Sequence, residues 1–252
     1  MSVADKFHSQ RLGKVLDKQN VSYETMLNEV SQIELKPSIL LMSGGLDTTT
    51  LLYWLWNEKV PLHVISFDYG QEAIKEIQMA KRHCERLNVS HEVVKISSYA
   101  IDGNLAPNNN HVLDDETLVP ARNSTFLSIG TSYALQHGYE RVYYGATGDV
   151  NPVYLDCRAE YVHQFNLLNM MSDLKVVQIR APLLKKNKHE ILEMAMDFGI
   201  DLRDTWSCYY NGERPCGVCS SCKDRKRFER EVRDRLQRKV RMLDMSLRFY
   251  ED

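Results

Sequence analysis

One stretch of the chain combines glycines, hydroxyls and a carboxylate in an order that suits phosphate chemistry. Residues 39–42 are apolar and predict a buried strand, a Ser-Gly-Gly turn follows, and leucines at helical spacing predict a helix from near Thr48. Free N–H groups at a helix start, which glycines let a ligand approach closely, bind anions. Asp47 would repel a phosphate unless Mg²⁺ lay between them. The predicted nucleotide-binding residues here are Ser43, Gly44, Gly45, Asp47, Thr48 and Thr49.

A second group of residues has the types and spacing of a metal site. Four thiols fall within 15 residues: Cys208, Cys216, Cys219 and Cys222. Four sulfur ligands suit tetrahedral Zn²⁺ in a closed, structural site, although an iron–sulfur cluster also uses four cysteines and stays open as an alternative. Of the other two cysteines, Cys84 falls on an apolar helix face and is predicted to be a core residue, whereas Cys157 has no assigned role.

The elements that must position these residues alternate between strand and helix, which predicts a parallel sheet covered by helices, an α/β fold. The predicted division is a helical extension at 1–36, an α/β domain at 37–200, and a zinc-binding helical appendage at 201–252. The strands predicted after the glycine turn cover 62–67, 93–96, 142–145 and 176–179, and the helices include 157–171 and 188–198.

Both ends of the chain carry helical patterns. Apolar residues from Tyr23 to Ile33 share one face behind Ser22, a candidate N-cap, and predict a helix packed on the outside of the domain. From Phe228 onward, apolar residues recur every three or four positions and predict a long amphipathic helix whose basic face is solvated. Residues 99–118 predict a long loop.

Composition limits the classes of protein. The chain has 252 residues, 43% hydrophobic and 26% charged, with a net charge of −2, which is typical of a soluble globular protein and gives no general case for nucleic-acid binding. No apolar run is long enough to cross a membrane, and the N-terminus lacks a signal-peptide core, so we expect a cytoplasmic protein.

Six stretches, taken in order, resemble the 7-cyano-7-deazaguanine synthase family of the queuosine pathway. This family belongs to the ATP pyrophosphatase superfamily, whose fold is that of the adenine nucleotide alpha hydrolases. The resemblance extends over roughly residues 38–230. Its stretches are Ser43-Gly-Gly-Leu-Asp-Thr48, Asp68-Tyr-Gly-Gln71, Val119-Pro-Ala-Arg-Asn123, Tyr154-Leu-Asp-Cys-Arg158, Lys188-His-Glu-Ile191, and Thr205-Trp-Ser-Cys208 with its three later cysteines.

The resemblance implies an ATP-dependent carbon–nitrogen ligase. Such an enzyme adenylates the carboxylate of 7-carboxy-7-deazaguanine, captures it with ammonia, and converts the amide to 7-cyano-7-deazaguanine with release of pyrophosphate. It also implies Mg²⁺, Zn²⁺ and a homodimer. The cations expected to act on the phosphates, together with Asp47, are Arg122, Arg158 and Lys188, and Asp68 and Gln71 are expected to contact the nucleotide.

The chain departs from the family in two stretches and in its first 36 residues. Ala121 stands where members usually have glycine, and the run 145–150 differs from the usual Gly-Val-Asn-Ala-Glu-Asp. Two alternatives therefore stay open. One is a relative of the antiphage-defence type that joins the same acid to an amine of a protein, and the other is a zinc-dependent nucleic-acid-binding module that uses the basic residues 223–241.

Overall fold

The chain forms one five-stranded sheet in a computed structural model that describes residues 19, 21–96, 121–148, 154–172 and 175–248, with side chains as far as residue 238. The strands are β1 (Ser38–Leu41), β2 (Leu62–Asp68), β3 (Ser90–Lys95), β4 (Arg141–Tyr143) and β5 (Gln178–Arg180). The helices are α1 (Tyr23–Val30), α2 (Leu46–Asn57), α3 (Lys75–Leu87), α4 (Arg122–His137), α5 (Ala159–Ser172), α6 (Lys188–Asp197) and α7 (Ser220–Arg248).

All five strands are parallel, in the order β3-β2-β1-β4-β5. Leu40 pairs with Val64 on one side and with Tyr143 on the other, so β1 lies at the centre. From β1 the chain adds β2 and β3 on one side of the sheet, and then crosses to add β4 and β5 on the other side. The boundary between β1 and β4 is therefore a topological switch point. Ligands of open α/β sheets bind beyond the carboxyl ends of the strands at such a point.

Successive residues of β1 face opposite layers of helices. Ile39 and Leu41 belong to one core with Leu127 and Val162 of α4 and α5, whereas Leu40 belongs to a second core with side chains of α2, α3 and α6. Residues 38–41 are all buried because both faces are covered. The α/β prediction with a parallel sheet between helices is confirmed.

Several predicted boundaries need correction. The helix after the glycine turn begins at Leu46 rather than near Thr48, so Asp47 lies in its first turn. The helix predicted over 157–171 is a short 3-10 turn at Leu155–Cys157 followed by α5, and α7 begins at Ser220 rather than Phe228. The sequence pattern missed this last start because polar residues fill the first two turns of α7. The loop predicted over 99–118 lies outside the described residues.

The segment before β1 packs on the domain as predicted. The Ser22 side chain accepts a hydrogen bond from the Thr25 N–H (3.2 Å) and caps α1. Val30 is fully buried, but Tyr23, predicted on the same apolar face, is 55% exposed. Beyond α1, Glu34 forms ion pairs with two arginines of the sheet, Arg141 and Arg180. Among the described helices, none is long and apolar enough to span a membrane.

Candidate functional site

The turn between β1 and α2, residues 43–48, is called the phosphate loop below. Gly44 has φ +93°, and a Cβ there would lie 1.9 Å from the Glu76 carbonyl oxygen, so this position requires glycine. The Ser43 hydroxyl accepts a hydrogen bond from the Gly45 N–H (3.2 Å) and lies 3.1 Å from the Thr48 hydroxyl. The loop opens onto the first turn of α2, whose leading N–H groups have no partner within the helix.

Asp47 projects from that first turn and forms an ion pair with Lys188 of α6. The Lys188 Nζ donates to Asp47 Oδ2 at 2.5 Å. The other carboxylate oxygen, Oδ1, is buried and has no hydrogen-bond partner among the described residues. A buried carboxylate oxygen without a hydrogen-bond partner could instead be a ligand of a cation. Carboxylate oxygens are ligands that suit Mg²⁺.

Lys188 is placed by a helix start with a complete capping box. The Asn187 side chain accepts from the Glu190 N–H (3.0 Å), while the Glu190 carboxylate accepts from the Asn187 N–H (2.8 Å). A lysine in the first turn of a helix is unfavourable against the helix dipole. The ion pair with Asp47 offsets this unfavourable interaction with the helix dipole and places the Lys188 ammonium beside the phosphate loop.

The carboxyl ends of β2 and β4 bring further residues to the same edge of the sheet. Gly145, just after β4, packs so closely on the loop that a Cβ would lie 2.6 Å from the Thr48 Cγ2. After β2, the Tyr69 hydroxyl accepts from Arg122 Nη1 at 3.5 Å. Arg122 is the first residue of α4, which follows the left-handed Ala121 (φ 55°).

Asp68 and Gln71, the two residues predicted to contact the nucleotide, form hydrogen bonds within the turn after β2. Gln71 donates to the Phe67 carbonyl (2.9 Å) and accepts from the Tyr69 N–H (2.9 Å). Asp68 Oδ1 accepts from the Gly70 N–H at 3.3 Å. Both side chains thereby fix the turn that carries Tyr69.

The segment 156–158 lies close to this cleft. Burial and the neighbouring Asp156 carboxylate raise the pKa of Cys157 to about 12, and Arg122 and Lys188 oppose the shift through their charges. The thiol is therefore protonated at neutral pH and is not a thiolate nucleophile. Arg122 and Lys188 both lie close enough to Cys157 to influence its pKa, so the fold gathers these two cations and Asp47 near one edge of the sheet. Arg158 follows Cys157 directly in the sequence. Thr49, by contrast, is fully buried in α2.

Glu76 is a residue of this region that the sequence analysis missed. Burial raises the pKa of its carboxyl to about 7, against the lowering influence of Arg122 and of a hydrogen bond from Gln71 Nε2 at 3.4 Å. No spacing pattern marks Glu76, because its environment comes from three separate elements.

The four clustered cysteines form a compact centre. All four sulfur atoms lie within 4.8 Å of one another, and the Cys216 and Cys222 sulfurs are 3.9 Å apart. Backbone N–H groups point at the sulfurs, as from Cys216 to Cys208 (3.3 Å) and from Cys222 to Cys219 (3.4 Å). Such N–H···S contacts stabilise thiolates. The tetrahedral arrangement of a Zn²⁺ tetrathiolate, with zinc–sulfur bonds of about 2.3 Å, requires a similar sulfur spacing, so these residues fit the metal.

The fold and site together define a class: a parallel α/β protein with a glycine-containing loop and a helix start at its topological switch point, and an appended four-cysteine centre. The sequence model of the family "Queuosine biosynthesis protein QueC" matches residues 37–232. The chain belongs to this family.

Curated relatives agree. The 7-cyano-7-deazaguanine synthase of Caldicellulosiruptor saccharolyticus is 38% identical and covers 75% of this chain and 88% of its own length. The synthases of Psychromonas ingrahamii and Methanoregula boonei are 35% and 33% identical, over 75% and 77% of this chain and 91% and 94% of theirs. A weaker likeness (TM-score 0.46, 18% identity) links 84% of this chain to 70% of the U34-tRNA thiolase NcsA from Methanococcus maripaludis, too little to inform on function.

Proposed function

We propose that this protein is an ATP-dependent 7-cyano-7-deazaguanine synthase. It adenylates the carboxylate of 7-carboxy-7-deazaguanine, captures the acyl-adenylate with ammonia, and dehydrates the amide to the nitrile after a second activation by ATP. The observation that carries the proposal is the Asp47–Lys188 pair at the phosphate loop, in a chain whose curated relatives are named 7-cyano-7-deazaguanine synthases.

The residues suit the demands of this chemistry. A carboxylate is a poor electrophile, and adenylation gives it a good leaving group while expelling pyrophosphate, which carries several negative charges. The helix-start N–H groups of α2 and the cations Lys188, Arg122 and Arg158 stabilise that charge. When bound at Asp47, Mg²⁺ supplies further charge neutralisation. The raised pKa of Cys157 disfavours a thiolate, and the proposed steps use no covalent bond to this thiol.

The acceptor amine is ammonia in this proposal. Formation of the amide from the acid, ATP and ammonia releases pyrophosphate, AMP and one proton. Conversion of the amide to the nitrile consumes a second ATP and releases pyrophosphate, an AMP that carries away the amide oxygen, and two protons from nitrogen, so no oxidant or reductant is needed. The N-terminal segment 21–36 packs on the domain through α1 and Glu34, which supports a structural role for it.

The test follows the acid itself. Purified protein is incubated with ATP, Mg²⁺, ammonium and 7-carboxy-7-deazaguanine, and the products are identified by mass spectrometry, with acid-dependent ATP–pyrophosphate exchange measured in parallel. Exchange together with nitrile is the expected result. Exchange without amide or nitrile would contradict ammonia as the acceptor and favour an amine of a protein. Absence of exchange would overturn the proposed adenylation.

A further inference from the structure

We propose that Trp206 is a positioning residue that couples the four-cysteine centre to the phosphate loop. Metal binding at the centre and ATP binding at the loop then strengthen each other. The inference rests on the proposed function in one respect, because it takes ATP to be the ligand of the loop.

Trp206 touches the phosphate loop through its backbone. Its N–H donates to the Gly44 carbonyl at 3.0 Å, and its own carbonyl oxygen lies 3.5 Å from the place that a Cβ of Gly45 would occupy. On the other side, the Glu76 carbonyl, in the first turn of α3, blocks any movement of Gly44 in that direction. The loop is therefore held between α3 and Trp206.

The side chain of Trp206 belongs to the cysteine centre. It is 4% exposed and packs in one cluster with Cys208 and Cys222. Its indole N–H donates to the Tyr210 carbonyl (3.2 Å), and the Tyr210 N–H in turn donates to the Cys208 sulfur (3.5 Å). One residue thus contacts the loop with its backbone and the centre with its ring.

Lys75 of α3 reinforces the same connection. Its ammonium lies 4.4 Å from the centroid of the Trp206 ring, a cation–π contact. It also donates to the carbonyls of Gly212 (2.6 Å) and Glu213 (2.8 Å), which lie in the turn between Cys208 and Cys216. Lys75 therefore fixes the cysteine turn to Trp206 without being a metal ligand or a loop residue.

The energetic consequence follows from linkage. Metal bound by thiolates supplies folding free energy to the segment that carries them, so loss of metal relaxes the chain around Cys208 and with it Trp206. A relaxed Trp206 no longer holds the Gly44 carbonyl, which weakens ATP binding. Coupling between two binding sites is reciprocal in their binding free energies, so ATP must tighten metal binding by the same factor.

The experiment measures that coupling. Protein with its zinc content established by elemental analysis is mixed with a colorimetric zinc chelator in excess Mg²⁺, with and without ATP, and the zinc shared between protein and chelator is measured at equilibrium. The proteins are the wild type, Lys75→Met and Lys81→Met. Lys81 is the control because it lies on the same helix, is exposed, and pairs only loosely with Glu85 (3.8 Å).

We expect ATP to lower the apparent Kd for zinc at least about fivefold in the wild type and in Lys81→Met, the lower end of measured couplings, and less than about twofold in Lys75→Met. A merely structural lysine would weaken zinc binding equally with and without ATP, and that unchanged ratio in Lys75→Met would overturn the proposal. If calorimetry detects ATP binding but ATP leaves the apparent Kd of the wild type unchanged, the coupling is wrong while the proposed function stands. If calorimetry detects no ATP binding, both fail.

Discussion

At the scale of single residues, the charge of Asp47 has to be considered together with that of Lys188. Asp47 has one oxygen on Lys188 and one buried oxygen without a hydrogen-bond partner among the described residues. A carboxylate in the first turn of α2 is favoured by the helix dipole, yet it sits where a phosphate should bind. In the proposed function, Lys188 and Mg²⁺ would each offset the repulsion between Asp47 and the phosphates.

The first prediction concerns this carboxylate. Asp47→Asn should lower acid-dependent ATP–pyrophosphate exchange by about 100-fold or more, which is the scale of losing one electrostatic stabiliser of a transition state. The fold should survive, as judged by circular dichroism, because the pair is partly exposed. Asp201→Asn, which weakens a surface pair with Arg203 and keeps an oxygen to accept from the Arg203 N–H, is the matched control. Near-normal exchange in folded Asp47→Asn protein would refute the role.

The second prediction concerns Glu76 and pH. Its pKa in the folded protein is about 7 against an ordinary value of 4.5, so the folded chain retains a proton that the unfolded chain has lost between these pH values. The contribution of Glu76 to stability is therefore fully present below about pH 4.5 and declines as pH rises to about 7.

Glu76→Gln keeps an acceptor for Gln71 and cannot ionise. Relative to the wild type, it should raise the melting temperature at pH 8 and leave it nearly unchanged at pH 4.5. Thermal unfolding of both proteins across this range is the measurement. Parallel pH dependences in the two proteins would show that the carboxyl titrates normally in the folded state.

At the scale of elements, the phosphate loop is defined by close backbone contacts as much as by its side chains. Gly44 is left-handed and pressed against the Glu76 carbonyl, whereas Gly45 has φ −72° and ordinary space around it. The two neighbouring glycines therefore differ in what they tolerate.

The third prediction uses that difference. Gly44→Ala should lower the free energy of unfolding by about 2–3 kcal/mol, because the added methyl group forces α3 and the loop apart. Gly45→Ala should cost less than about 1 kcal/mol, since its Cβ would meet neighbours at 3.4 Å or more. Denaturant unfolding measures both, and equal losses would contradict the contact argument.

The segment between α1 and β1 is attached to the sheet by a buried ion-pair network. Arg180, 2% exposed, donates from Nη2 to Glu34 Oε1 at 3.1 Å, and Arg141 pairs with the same carboxylate. Removal of a partner from a buried charge is costly because the remaining charge is uncompensated.

The fourth prediction is that Glu34→Ala destabilises the protein by about 3 kcal/mol. Glu24→Ala, at an exposed position of α1, should change stability by less than about 0.5 kcal/mol. Denaturant midpoints compare the two variants. A small effect of Glu34→Ala would mean that the segment preceding β1 contributes little to holding β4 and β5.

At the scale of the whole molecule, the cysteine centre lies between the segment that follows α6 and the start of α7. Cys222 belongs to α7, and Arg225, one turn further on, donates to the Thr205 carbonyl at 3.1 Å. The centre therefore binds the long helix to the segment that contacts the phosphate loop. The homodimer and the three-part domain division stay predictions.

The fifth prediction is that the purified protein contains about one zinc ion per chain, bound by the four thiolates. Cys219→Ser should lose the metal and unfold at lower temperature, because binding energy at such a site is also folding energy. Cys157→Ser, outside the centre, should retain it. Elemental analysis measures the zinc content of each variant. An iron–sulfur absorption band would show instead that the four cysteines bind an iron–sulfur cluster.

The sequence alone determined the fold class, the phosphate loop and the cysteine centre, because these depend on local patterns: an apolar strand, a glycine turn, a helix start and close ligand spacing. Only the tertiary structure decided which residues meet. Lys188 and Asp47 are 141 positions apart in sequence, and their pairing requires the β1–β4 switch point. The pKa of Glu76 and the contact of Trp206 with Gly44 likewise arise from elements that no local pattern relates, since burial and long-range contacts exist only once the sheet and its helices have packed.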